Sequence, residues 1–288
     1  MPANGRDCSI TIKTACGETD IPFSDETIQG AVSILKMEAP IEGDGRRGAI
    51  LKTVGTTGCV ITPLTIGTAP LLLSLALGAA NKCVPLAVTG DFYRHFLDLA
   101  PMEDSGAFDL VQERGGRRVL YEGCRVRGFE LRIARDEAVK LRLDVCGGLE
   151  PRPYPYAGIS KAARKAEERF HGRGVTYSIN GKDNGDIYGL TAAARKEGGT
   201  QTELWMRRVL RNGPDMPHVI DELAVTAKLA RDVYGSRYFG TFRICFYNLV
   251  KISDETNVNS PDAVIGPVRY YVSGPVTADV FSSSERLQ

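Results

Sequence analysis

The sequence is poor in the residues that carry most chemistry: among 288 residues there are three histidines and one tryptophan. His95, His171 and His218 lie far apart, and none stands at close ligand spacing from another His or Cys, which argues against zinc. His95, between Asp91 and Asp98 in what reads as an exposed polar segment, is the best acid–base candidate available. The seven cysteines (Cys8, Cys16, Cys59, Cys83, Cys124, Cys146, Cys245) include no C-x-x-C pair. With no signal-like start, an odd number at wide spacing reads as reduced thiols made in a cytoplasm. A long hydrophobic run is missing too. The longest, Ala69 to Ala80, is twelve residues against roughly 20 for a bilayer span, so it reads as a core element and no membrane partner is expected. Net charge is +1, which singles out neither nucleic acid nor an anionic membrane. The one local surplus runs from Arg114 to Arg173, with 15 Lys or Arg against 8 Asp or Glu, and reads as a solvated face or a surface that meets something acidic.

Catalytic signatures are absent as well. GDGRRG (43–48) has the letters of G-x-G-x-x-G, but no hydrophobic strand delivers it to a helix N-terminus, so it reads as a loop. DNGD (183–186) lacks the alternating ligands and closing Glu of a calcium loop and reads as a turn. With no G-x-S-x-G, Walker A or H-E-x-x-H, the expectation is a non-enzyme with no catalytic residues, metal or cofactor.

What the sequence does contain is β patterning. Phe129, Leu131 and Ile133 alternate with Glu130, Arg132 and Ala134; after a turn at Asp136–Glu137, Val139, Leu141, Leu143 and Val145 alternate with Lys140, Arg142 and Asp144. Period two on both sides of a short polar turn predicts an antiparallel hairpin with one wet face, and Gly128 marks a bulge. Further strands are expected at 9–14, 28–37, 48–65, 223–229, 238–246, 268–272 and 276–280. Pro70 opens one apolar helix, with Leu71, Leu72, Leu75 and Ala79 as its buried stripe. Lys161–Phe170 and 203–211, the latter carrying Trp205, read as short helices. NGKDNGD (180–186) reads as a turn between two tyrosine-bearing arms, 175–179 and 187–190. The segment KMEAPIEGDGRR (36–47) loses all periodicity and reads as a long exposed loop. No repeat of 20 to 50 residues is visible, and no βαβ alternation appears.

Two stretches carry a family resemblance. The first, about Gly48 to Gly148, combines AILKTVGTTGCVITPLTIGTAPLLLSLALGA with VLYEGCRVRGFELRIARDEAVKLRLDVCGG. Tyr121, Gly123, Cys124, Val126 and Phe129, then Val139, Leu141, Leu143, Asp144 and Gly147, match its hairpin phrases. The second is Phe239 to Phe281. Both look like the tail tube (major tail) proteins of long-tailed bacteriophages. The resemblance implies a mainly β fold: a β-sandwich or half-barrel core with one flanking α-helix and an α+β insertion in the middle. On that basis residues 1–149 form the core with an N-terminal arm and the loop 36–47, 150–215 the insertion, and 216–288 strands completing the same core. Six such subunits would close into a hexameric ring, and rings would stack into a hollow tube through which the genome passes. The implied partners are further copies of the chain, the tape-measure, tail terminator and tail-tip proteins, and DNA transiently in the lumen. The protein would reside in the virion tail, and in the host cytoplasm before assembly. Carried over, Glu42, Asp44, Arg46 and Arg47 are the candidate inter-ring contact. Arg127, Glu130, Arg132, Lys140, Arg142 and Asp144 are candidates for the polar face of an inner-barrel hairpin, lumenal in one reading and outside in the alternative. Their mixed signs suggest neutralisation by partners across subunits. Rival readings are another tail or injection-machine component (a terminator or contractile-system tube), or a monomeric ligand-binding β module using the 150–215 tyrosines.

Overall fold

The computed structural model describes residues 8–36, 49–78, 80–85, 93–147, 149–155, 168–208, 216–233, 236–254 and 267–282. The chain is mainly β. Its strands in order are β1 (Cys8–Thr14), β2 (Gly17–Ile21), β3 (Asp25–Glu26), β4 (Gln29–Lys36) and β5 (Ala49–Pro63). After helix α1 (Ala69–Leu77) come β6 (Ala80–Pro85), β7 (Tyr93–Asp98), β8 (Phe108–Arg114), β9 (Arg117–Ala134), β10 (Lys140–Gly147) and β11 (Arg152–Pro153). Then follow β12 (Val175–Ile179), β13 (Lys182–Asp183), β14 (Ile187–Arg195), β15 (Gln201–Arg208), β16 (Val219–Val233), β17 (Ser236–Asp254), β18 (Pro267–Val272) and β19 (Val276–Ser282). All pairings are antiparallel and connect into one sheet.

The part that positions the candidate site runs β5–β10–β9–β14–β15–β18–β17. Cross-strand rows show why these sequences make this sheet. Leu141, Leu131, Ala192, Leu204 and Tyr270 stand side by side and each is fully buried. One residue along, the neighbouring row of Arg142, Glu130, Ala193, Glu203 and Tyr271 faces the other way and none of it is buried. Side chains alternate faces along a strand, so a slip of one residue would put the charges in the core and fix the penalty against any other register. The apolar face merges into a single cluster that includes Ile10, Leu72, Phe129, Phe242 and Val280.

The expected hairpin is present as β9–β10, and its bulge sits at the glycine. Asp144 pairs with Gly128 and Val145 with Val126, leaving Arg127 unmatched. Helix α1 starts after Thr68 with Pro70 in its first turn and ends at Gly78, whose φ is +156°. It is wrapped by protein more completely than a stripe would be. Leu72, Leu73, Ser74, Leu75, Ala76 and Leu77 are all buried, while Leu71, expected on the stripe, is only half-buried. An all-round apolar helix is one enclosed by its neighbours, here β7, β9 and β19.

Two expectations are corrected. Residues 201–208 are a strand, not a helix: Thr202, Leu204 and Met206 face the core while Glu203, Trp205 and Arg207 face outward. Cross-strand partners on β14 and β18 override a composition that suits either state. The tyrosine-bearing arms do not pair with each other. Asn180 and Gly181, both at positive φ (49° and 76°), turn β12 back only into the two-residue β13. β12 then pairs with β16, and β14 with β9. No α-helix occurs in the described part of 150–215, which consists of strands β11 to β15 and a short 3-10 turn at Gly172–Gly174. Most of the expected helix Lys161–Phe170 lies outside the described residues.

Candidate functional site

The polar face of the β10–β9–β14–β15 sheet forms an open trough. One stretch of about 920 Å³ is lined by Arg127, Arg142, Asp144, Arg195, Glu197 and Trp205, among others. The adjoining stretch of about 860 Å³ includes Arg132, Glu137, Lys140 and Arg207. Arg127, Glu130, Arg132, Lys140, Arg142 and Asp144 are therefore brought together on one surface. Lys140 is opposite Arg132, Arg142 opposite Glu130, and Asp144 opposite Gly128. Arg127 reaches the same surface because it is the bulged residue.

Part of the neutralisation occurs inside the chain. Arg142 donates to Asp144 at 2.9 Å, and Arg132 pairs with Glu130. Lys140 meets Glu137 at 2.9 Å, and Arg269 meets Glu203 at 2.6 Å with its guanidinium 5.5 Å from the Trp205 ring centroid. The hydrogen bond to Asp144 raises the Arg142 pKa. Lys140 beside Glu137 holds that carboxyl below the usual range. Same-strand pairs at i, i+2, such as Arg132–Glu130, form because alternate residues share a face. Each is solvated and screened, so it adds little to the fold; their consequence is for what the surface attracts.

Beyond the trough, the same row of cross-strand neighbours ends in apolar residues. Tyr271 is followed by Val250 and then Val219, with Ile252 nearby, at 39%, 45%, 56% and 49% exposure. Glu203, Trp205 and Arg207 escaped the sequence reading, although Q-T-E-L-W-M-R (201–207) alternates in period two, and Arg269 was passed over between Val268 and Tyr270 in a run read as a strand. The inter-ring candidates Glu42, Asp44, Arg46 and Arg47 lie outside the described residues. His95, read as exposed, is fully buried on β7. Among the described residues no group of three or more His, Cys, Asp or Glu could hold a metal ion, and no helix is long and apolar enough to cross a membrane.

Comparison with protein-family models gave no match, and neither did comparison with curated proteins.

Proposed function

We propose that this chain is a non-catalytic structural subunit of a phage-type tail tube, which assembles with copies of itself into stacked rings around a channel for nucleic acid. The observation that carries the reading is the open trough-forming sheet. One face is a continuous apolar core and the other a charged, solvated surface. At its two lateral ends strand edges stand without partners among the described residues: the outer side of residues 25–31 and of Ser253–Asp254. Unpaired edges template further pairing, and pairing between copies converts an open sheet into a barrel wall whose lumen is the polar face. In this reading the core is a sandwich-like subunit whose sheet lines the channel.

The local pairing of Arg132, Arg142, Lys140 and Arg269 with carboxylates suits that role. A channel of free arginines would hold phosphates by counterion release and oppose passage, whereas paired cations present little net attraction. The test is negative-stain electron microscopy of the concentrated protein held for days, with and without tail-tip seeds. Hollow rings or tubes are the expected result; compact monomers under every condition would overturn the reading.

A further inference from the structure

The pairing pattern of the N-terminal half recurs in the C-terminal half, with β14 standing for both β3 and β4 and with no described counterpart of β6 and β7. In the first, β1 pairs with β2 and β8, β8 with β9, β9 with β10 and β11, β10 with β5, and β5 with β3 and β4. In the second, β12 pairs with β13 and β16, β16 with β17, β17 with β18 and β19, β18 with β15, and β15 with β14. The register recurs too. Opposite β10, strand β9 steps from Gly128 (with Asp144) to Val126 (with Val145), skipping Arg127. Opposite β18, strand β17 steps from Ser253 (with Arg269) to Lys251 (with Tyr270), skipping Ile252. Four residues before each bulge stands a left-handed residue: Gly123 at φ 61° and Asn248 at φ 53°.

With those bulges superposed the register of the other strands follows, apart from an extra shift at Phe108–Leu110 on β8 that β16 lacks. Arg142–Ile61–Asp25 falls on Pro267–Arg207–Gly189, and Thr57–Gln29 on Glu203–Ala193. Leu120–Val111–Thr11 falls on Cys245–Ala224–Ser178. We infer that the chain is a tandem of two copies of one β unit, residues 8–153 and 175–282, and that the joint between the units is repeated between chains.

The joint inside the chain is the β9–β14 pairing, in which Gly128 faces Arg195 and Phe129 faces Ala194. The counterparts of Gly128 and Phe129 are Ser253 and Asp254, bonded to β18 on one side and to no strand on the other among the described residues. The counterparts of Arg195 and Ala194 are Ala31 and Gly30, bonded only to β5. Each chain thus carries both halves of the same joint unmatched, and a second copy supplies the missing half. Ser253 of one chain is placed opposite Ala31 of the next, and Asp254 opposite Gly30. The apolar cluster of Val219, Val250 and Ile252 borders this edge and is left exposed in a single chain. Head-to-tail pairing of this kind closes into a ring.

A ring of six units therefore contains three chains. That number rests on the tube reading; the tandem and its inter-chain joint do not. The experiment is native mass spectrometry on rings of the full-length protein, beside end-view electron microscopy. The expected ring shows six lobes and a mass of three chains of 31.3 kDa, about 94 kDa. Six-lobed rings of six chains would overturn the inference and leave the tube standing. Three-chain rings that never stack would support it while removing the tube. Failure to associate under any condition would overturn the inter-chain joint together with the tube. As a second arm, the double substitution Val250→Lys, Ile252→Lys is expected to abolish ring formation with the monomer's circular dichroism and melting unchanged; rings persisting at the wild-type concentration would place the joint elsewhere.

Discussion

Lys196 follows β14 directly and is fully buried, its ammonium donating to the Ala76 and Leu77 carbonyls at 3.1 and 3.2 Å and contacting the Ser105 hydroxyl. It satisfies the C-terminal carbonyls of α1 that a helix cannot pair internally. Burial pushes its pKa down to about 8 from 10.5. Across that interval the unfolded chain holds more protons than the folded one, so this group makes stability rise with pH. Burial acts oppositely on Cys124, whose pKa of about 12 against 9.0 removes stability once pH passes the unfolded value. The Lys196 contribution is therefore isolated as a difference. The wild type is expected to gain about 2 kcal/mol relative to Lys196→Met between pH 7.5 and 9.5, read from denaturant midpoints; parallel profiles would show that the amine stays charged throughout. A second prediction at this scale concerns the left-handed residue of β9. Gly123→Ala should cost about 1 kcal/mol, and Gly123→Asn clearly less, because Asn tolerates that conformation and occupies the corresponding place in β17 as Asn248. Equal losses for Ala and Asn in thermal denaturation would contradict the argument.

At the scale of elements, strands with one wet and one dry face were legible. β9 and β10 alternate cleanly, and the interrupting Gly128 announced the bulge. Strands β1, β4, β5 and the C-terminal group likewise lie close to where their apolar runs fall. What failed was local pattern without its partners. The run from Gln201 to Arg208 contains good helix formers, and only the rows on β14 and β18 decide for strand. Asn180–Gly181 was readable as a turn, but the destination of the chain after it depends on β9 and β16, far away in sequence. The candidate site was half legible for the same reason, since the contributions of Glu203, Trp205, Arg207 and Arg269 exist only once those strands are paired. The dry face can be tested directly. Leu131, fully buried at the centre of its row, should cost about 2–5 kcal/mol as Leu131→Ala, measured by chemical denaturation. Thr191, on the wet face opposite Arg132, should change by less than about 0.5 kcal/mol as Thr191→Ala; similar losses at both sites would mean that the two faces are not distinguished as described.

For the whole molecule, the tandem has a period well beyond the 20 to 50 residues over which the sequence shows no repeat, and its two units share little sequence. Corresponding positions are chemically unlike, as with Arg127 and Ile252 or Asp144 and Arg269. The spacing also drifts, because α1, β6 and β7 stand between β5 and β8, whereas β15 leads to β16 with no such elements described between them. What is shared is hydrogen-bond geometry, which sequence comparison does not see. The charged trough yields a prediction at the same scale. In the variant Glu130→Gln, Asp144→Asn, Glu203→Gln, the partners of Arg132, Arg142 and Arg269 lose their anions. Binding to a fluorescent DNA duplex should then appear at low salt where the wild type shows none. Affinity should fall with salt at a slope of about −0.9 per cation engaged. Fluorescence anisotropy across a salt series decides it, and equal binding by wild type and variant would show that the ion pairs do not mask the surface.

The helix α1 with β6 and β7 has no counterpart among the described residues of the C-terminal unit. In a ring of three tandem chains, the strands lining the channel repeat every 60°, while this helical element repeats every 120°. A partner that grips the ring through β6, whose residues 82–85 are exposed beside the enclosed helix, meets three equivalent berths, and a molecule moving along the axis meets six. One polypeptide can in this way mediate a symmetry mismatch, with two periodicities written into a single closed ring.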